Sequence, residues 1–298
     1  MTDRLVWERD GLDWPLRESS RFVQAGGLRW HVQQMGHGPV MLLIHGTGAS
    51  THSWRDFAPL MAHHFTVVAP DLPGHAFTDT PAAAQMSLPG MSAALASLID
   101  TLGLDVALCV GHSAGAAIAS RMALDGMIAP EALVSINGAF LPLDGLPGLL
   151  FPPVARLMAA TPLASRLFAW RASDRAAVER LIDGTGSALD VRGVELYSRL
   201  VRDARHAAGA LAMMAQWDLR PLLRDLPSLR TPLVLLAGAN DRAVPPEQAR
   251  RVHALLPRAL ASEPILLPNV GHLAHEEQPA ELARTVMRAV AQRQRVPA

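Results

Sequence analysis

The chain contains no lysine. All 27 basic residues are arginines, and 27 acidic residues balance them to a formal net charge of zero. No long run of one sign occurs, so the electrostatic footprint of a nucleic-acid groove or a polybasic membrane anchor is missing, and polyanionic partners are not expected. There is one cysteine, Cys109, which excludes an internal disulfide. It lies in the apolar run Val106–Val110, where a thiol is expected to behave as a small buried hydrophobe. No stretch of about 20 apolar residues escapes a charge or proline, so a spanning helix is not expected. Asp3, Glu8, Asp10 and Asp13 precede any apolar run. A secretory leader would instead show a basic start and about 7 to 15 apolar residues. The expected location is therefore the cytoplasm, at most peripheral to a membrane. Although there are twelve histidines, no close His/Cys/Asp/Glu grouping has zinc-ligand spacing, and neither G-x-G-x-x-G nor a Walker pattern is present. No metal and no other cofactor is expected.

Half of the 298 residues are hydrophobic and only 18% are charged, a composition that supports one large core carrying an insertion. Short apolar, β-branched runs at Val40–Ile44, Phe65–Ala69, Val106–Val110, Ala132–Ile136, Leu233–Ala237 and Pro264–Leu267 read as strands. Alanine- and leucine-rich segments of helical length, such as Met91–Leu102 and Ala114–Leu124, lie between most of them. That alternation predicts an α/β fold with a mostly parallel sheet and helices on both faces. Arg21–Gln24 and Leu28–Gln33 flank Gly26-Gly27 and predict an antiparallel hairpin at one edge. The alternation fails between Gly138 and Leu229, where the spacing is helical throughout. Residues 1–137 and 230–298 thus read as the core and 138–229 as a helical cap, with a final helix from about Pro279 to Ala291.

The strongest local signal is Gly111-His112-Ser113-Ala114-Gly115, which follows a predicted strand and opens a predicted helix. In that setting the pattern places a serine hydroxyl on a tight corner where bulky neighbours would collide. Such a hydroxyl needs a base, and the base an orienting acid. Both are present in the expected order. Asp241 lies just beyond the strand Leu233–Ala237, and His272, in Asn269-Val270-Gly271-His272, follows the last strand, so all three reach the same sheet edge. His275 is a rival base; it falls where the last helix is predicted to start and reads as a surface or supporting histidine. Asn137 ends an earlier strand, but an amide cannot serve as the acid. After the strand Val40–Ile44 comes His45-Gly46-Thr47-Gly48. A hydrolytic oxyanion is held by the N–H after the nucleophile and by one from such a loop, which points to the backbone donors of Ala114 and Thr47. The block Asp71–Asp79 reads as a supporting turn.

Assembled in this order, these blocks resemble the α/β-hydrolase superfamily over the whole chain. Ala76 stands where that superfamily usually has a second glycine. More narrowly, Trp7–Gly11, Arg21–Val23, Gly27–His31, Gly46–Trp54 and His112–Ala117 look like the magnesium-chelatase accessory proteins of bacteriochlorophyll biosynthesis. This resemblance implies a role around magnesium insertion into protoporphyrin, a flat amphiphilic tetrapyrrole as ligand, and contact with magnesium chelatase subunits. The insertion is rich in large apolar residues such as Leu141, Phe151, Trp170, Met213, Met214 and Trp217, which mostly read as helical core packing. Its arginines Arg156, Arg166, Arg171 and Arg175 could meet carboxylates but read first as solvated helix faces. The leading expectation is a serine hydrolase acting on an ester or related acyl bond of a hydrophobic substrate. The alternative is a non-catalytic, porphyrin-holding accessory protein. Serine at position 113 argues against an aspartate-nucleophile dehalogenase.

Overall fold

In a computed structural model, residues 5–142, 175–257, 260 and 262–294 are described. Eight strands form one sheet in the order β1-β2-β4-β3-β5-β6-β7-β8. They are β1 (Ser20–Ala25), β2 (Leu28–Met35), β3 (Val40–Ile44), β4 (Thr66–Pro70), β5 (Val106–His112), β6 (Ala132–Ile136), β7 (Leu233–Gly238) and β8 (Ile265–Leu267). The first two pair antiparallel at one edge, and β2 pairs antiparallel with β4. Every other pairing is parallel. Among the described residues the helices of six residues or more are α1 (Leu88–Leu102), α2 (Ala114–Leu124), α3 (Arg175–Gly184), α4 (Val191–Arg202), α5 (Ala204–Ala215), α6 (Arg220–Asp225), α7 (Glu247–His253) and α8 (Pro279–Gln294).

The central strands are almost wholly apolar because both of their faces are buried; Ser135 in β6 and His112 at the end of β5 are the buried polar exceptions. Successive side chains point to opposite faces, so each strand feeds two cores. Leu42, Ile44, Cys109, Leu133 and Leu235 pack with α1 and α2. Met41, Leu43, Val110, Val134 and Leu236 pack with Trp54, Phe57 and α8. Cys109 is fully buried, and burial pushes its thiol up, as expected of an inert core group.

Between β6 and β7 the described chain is helical, with α3 to α6 and no strand. Its last portion does not stand apart from the core. Leu222, Leu226 and Leu229 join the apolar cluster around α2, and Arg121 of α2 pairs with Asp225 at 2.8 Å. Met213 and Trp217 belong to the same cluster, which bears out the reading of these residues as core packing. Arg175 pairs with Glu179 one turn on, a solvated helix face. The expected roles of Phe151, Trp170, Arg156, Arg166 and Arg171, and of nearly all of the loop Leu141–Pro153, lie outside the described residues. No described helix is long and apolar enough to cross a membrane.

Candidate active site

β5 ends at His112 and α2 begins at Ala114, so Ser113 is the single corner residue, held at φ 51°, ψ −118°. Its backbone is clamped: the N–H donates to Ile136 O at 3.0 Å, and the carbonyl accepts from Ala116 N at 3.1 Å and Ala139 N at 3.0 Å. The flanking glycines are required by space. A Cβ on Gly115 would lie 2.1 Å from Ile44 O, and one on Gly111 would lie 2.4 Å from Ala116 N. Neither glycine has a positive φ. Collision, not backbone freedom, therefore dictates the pattern around the serine.

Asp241 and His272 come from the loops after β7 and β8, which are stitched together by Ala239 N to Leu267 O (2.8 Å) and Asn240 N to Val270 O (2.9 Å). His272 Nδ1 lies 2.8 Å from Asp241 Oδ2. The other carboxylate oxygen accepts from Ala243 N and Val244 N, each at 2.8 Å. An ionised carboxylate only accepts, so the imidazole proton is assigned to Nδ1 and the lone pair to Nε2. The Asp241 side chain is fully buried, and that of His272 is 11% exposed.

Asn137, set aside in the sequence because it is not an acid, holds this arrangement in place. It occupies a left-handed position at φ 49°, which asparagine tolerates. Its Nδ2 donates to Gly271 O at 2.8 Å and His272 O at 2.7 Å, and its Oδ1 accepts from Gly238 N at 2.6 Å. His112 Nε2 also donates to His272 O, at 2.9 Å. The only hint available in the sequence was an asparagine at a strand end.

Of the two places expected for His275, surface or supporting, the structure gives the second. His275 is fully buried in the turn of helix Ala274–Glu277, not on the surface, and its ring lies between Trp54 at 4.6 Å and His112 at 4.3 Å. Burial, reinforced by His272, holds it well below the ordinary histidine range. A neutral ring packed in this way supports the neighbouring loop and does not reach the cavity.

The loop after β3 brings Thr47 and Gly48 to the same place. His45 Nδ1 donates to Gly46 O and its Nε2 accepts from Leu72 N, both at 2.8 Å. Burial, then His75, lowers His45 to about 3. Asp71 anchors the loop from below: Oδ1 accepts from Thr51 N at 2.7 Å, and Oδ2 pairs with His31 at 2.8 Å. Burial alone would raise Asp71, but the charge and hydrogen bond of His31 bring it to about 2. Ala76 takes a left-handed φ of 40°, the conformation in which a glycine would be free of strain. Among the described residues, neither Thr47 N–H nor Ala114 N–H donates to a protein acceptor.

These groups surround one cavity of about 250 Å³, lined by Thr47, Ser113 and His272 on the core side and by Val178, Ile182 and Tyr197 from α3 and α4. Ser113 Oγ makes no hydrogen bond among the described residues. Such bonds commonly tighten only when a substrate is bound. The segment after α3 rests on the loops that carry Asp241 and His272: Arg242 N donates to Thr185 O at 3.0 Å and Leu273 N to Ser187 Oγ at 2.8 Å. Beside the cavity, Tyr197 donates to Glu276 Oε1 at 2.8 Å, while Arg55 pairs with Glu276 Oε2. Burial pushes Glu276 up to about 7 against the pull of Arg55. Nothing in the local sequence marked this trio, whose members lie far apart in the chain.

The parallel sheet, the strained serine corner and the Asp–His pair beyond the strand ends define the class. The family model for the alpha/beta hydrolase fold matches residues 39–279, and the chain belongs to that family. Within it, the chain is 38% identical to the magnesium-chelatase 30 kDa subunit of Rhodobacter capsulatus over 266 residues, 89% of this chain and 92% of the relative. It is 27% identical to haloalkane dehalogenase 2 of Mycobacterium tuberculosis over 280 residues, 90% of this chain and 93% of the relative. An α/β-hydrolase-fold protein from Burkholderia ambifaria superposes with a TM-score of 0.74 at 25% identity, covering 90% of this chain and 97% of that one.

Proposed function

We propose that the chain is a serine hydrolase that cleaves an ester or related acyl bond of a hydrophobic substrate, in service of magnesium insertion into protoporphyrin. The single observation that carries the chemistry is the 2.8 Å contact of His272 Nδ1 with Asp241, which leaves Nε2 as a base on the cavity that Ser113 also lines. Ser113 Oγ attacks the acyl carbon as its proton passes to His272 Nε2. The negative charge that develops on the carbonyl oxygen is met by the N–H groups of Thr47 and Ala114, the latter at the positive end of α2. Collapse expels the alcohol, which takes the proton from His272 and leaves an acyl-serine. Water, deprotonated by His272, then attacks that ester, and the departing serine recovers the proton as the acid is released. Asp241 keeps the imidazole in the working tautomer throughout. Residues 138–229 act as a cap whose α3 and α4 close the cavity over the serine.

A second reading, a porphyrin-holding accessory protein without turnover, is favoured by the identity to a magnesium-chelatase subunit. Fold alone does not decide between them. A fluorophosphonate probe should label the wild type and not Ser113→Ala. Magnesium-porphyrin formation in cells carrying only Ser113→Ala at wild-type level then separates the roles. If formation is normal, the pathway role is not catalytic and the accessory reading replaces the enzymatic one.

A further inference from the structure

His206, on α5, is buried between the loop after β3 and the Asp71–Asp79 turn. Its Nδ1 accepts the N–H of Ala76 at 3.0 Å, so the ring proton sits on Nε2, which donates to Gly48 O at 3.1 Å. Two backbone partners thereby set one tautomer. Two more contacts come from the same helix. Thr47 Oγ1 donates to Met213 Sδ at 3.4 Å. Gly209 lies so close to the turn that a Cβ there would be 2.0 Å from Gly74 O. Gly48 itself has φ 78°, and a Cβ added to it would meet nothing within 4 Å, so the loop is not walled in by packing at this point. The loop is tied at its two ends by Ala49 N on Gly46 O and by Thr51 N on Asp71, and at Gly48 itself the hold comes from α5.

We infer that His206 is a positioning residue: by holding the Gly48 carbonyl it keeps the Thr47 N–H aimed at the site of the developing oxyanion, so the docking of α5 is a condition for turnover. This rests on the reading of Ser113 as nucleophile and extends it, because it gives the insertion a part in the rate as well as in access. Freeing the loop tilts a donor whose complete loss typically lowers the rate about 100- to 1000-fold. Substrate binding, made by the cavity walls, is left in place. The effect therefore falls on kcat and not on KM.

The test compares wild type, His206→Phe and His206→Gln on p-nitrophenyl butyrate. Phenylalanine keeps a ring and removes both bonds. Glutamine can accept from Ala76 through Oε1 and donate to Gly48 through Nε2. His206→Phe is expected to lose about 10- to 100-fold in kcat, with KM within about twofold of wild type, and His206→Gln to recover most of that loss. Amides of residues 47–51 should exchange faster in His206→Phe, with melting temperatures of the two variants alike. Unchanged kcat in His206→Phe overturns the inference, as does an equal loss in both variants that tracks their melting temperatures. A wild type that neither turns over ester nor takes up a fluorophosphonate overturns the hydrolase reading instead. In that case unchanged exchange at residues 47–51 in His206→Phe overturns the positioning contact as well.

Discussion

Replacing Ser113 with glycine separates backbone strain from chemistry. The residue is held at φ 51°, ψ −118°, a region that a Cβ disfavours, and a non-glycine residue kept there carries about 1 to 3 kcal/mol. Glycine relaxes that strain but adds freedom to the unfolded chain, which offsets about 0.5 to 1 kcal/mol. The hydroxyl makes no hydrogen bond among the described residues, so none is lost. A net stabilisation of about 1 kcal/mol remains. For 298 residues, unfolding entropies of about 2.1 cal/mol/K per residue give about 0.6 kcal/mol/K, hence a rise of about 2 °C in melting temperature. Ser113→Ala is the control, since it removes the same oxygen but keeps the strained Cβ, and it should melt close to wild type. Calorimetry on the three proteins, with fluorophosphonate labelling on the same samples, reads both quantities. Glycine should exceed alanine by about 2 °C while neither is labelled. A glycine variant that melts at or below the alanine variant would refute the argument from strain.

Asp241→Asn should keep the fold but offer His272 a donor in place of an acceptor. Ester turnover is then expected to fall by about four orders of magnitude, measured as kcat. Asn137→Ala leaves the buried Gly238 N–H and the Gly271 carbonyl without their side-chain partner, so a loss of about 2 to 4 kcal/mol in denaturant unfolding is expected. Glu276 titrates at about 7 in the fold against 4.5 as its ordinary value. The native state therefore binds a proton that the unfolded chain releases between those values. The associated stability is full below about pH 4.5 and is lost as pH rises through 7, at most about 3 kcal/mol. The stability difference between wild type and Glu276→Gln should accordingly shift against the wild type from pH 5 to pH 8, and a constant difference would count against the assignment.

Where the sequence was informative, one local pattern had one physical cause. The bounds of β3, β6 and α2 were readable because strands buried on both faces are apolar runs, broken in β6 only by Ser135, and because glycines that would collide mark the serine corner. Asp241 and His272 were readable from their order after strand ends. What escaped was decided by distant neighbours. His275 and His272 are the same residue type three positions apart, yet only the first is packed between Trp54 and His112. Asn137 was judged by its own chemistry, while its role follows from carbonyls more than a hundred residues away. Leu222, Leu226 and Leu229 carry the periodicity of the insertion, but their partner is α2.

The histidines packed under the loop after β3 also make the molecule a proton trap on unfolding. His45 and His75 titrate at about 3 and His206 at about 4, in each case chiefly because burial disfavours the charged ring. Unfolded, each returns to 6.5. The unfolded chain then takes up protons that the fold refuses, so stability drains as pH falls below 6.5. At pH 5 each ring removes about 2 kcal/mol. Three together approach about 6 kcal/mol, which outweighs the gain of about 2 kcal/mol from Glu276 between pH 7 and pH 5 and leaves a net loss of about 4 kcal/mol, a large part of the stability of many domains. Acidification should therefore empty the native state in one steep step, with several protons taken up per molecule in a pH-stat titration, long before carboxylate pairs such as Arg199–Asp13 begin to neutralise.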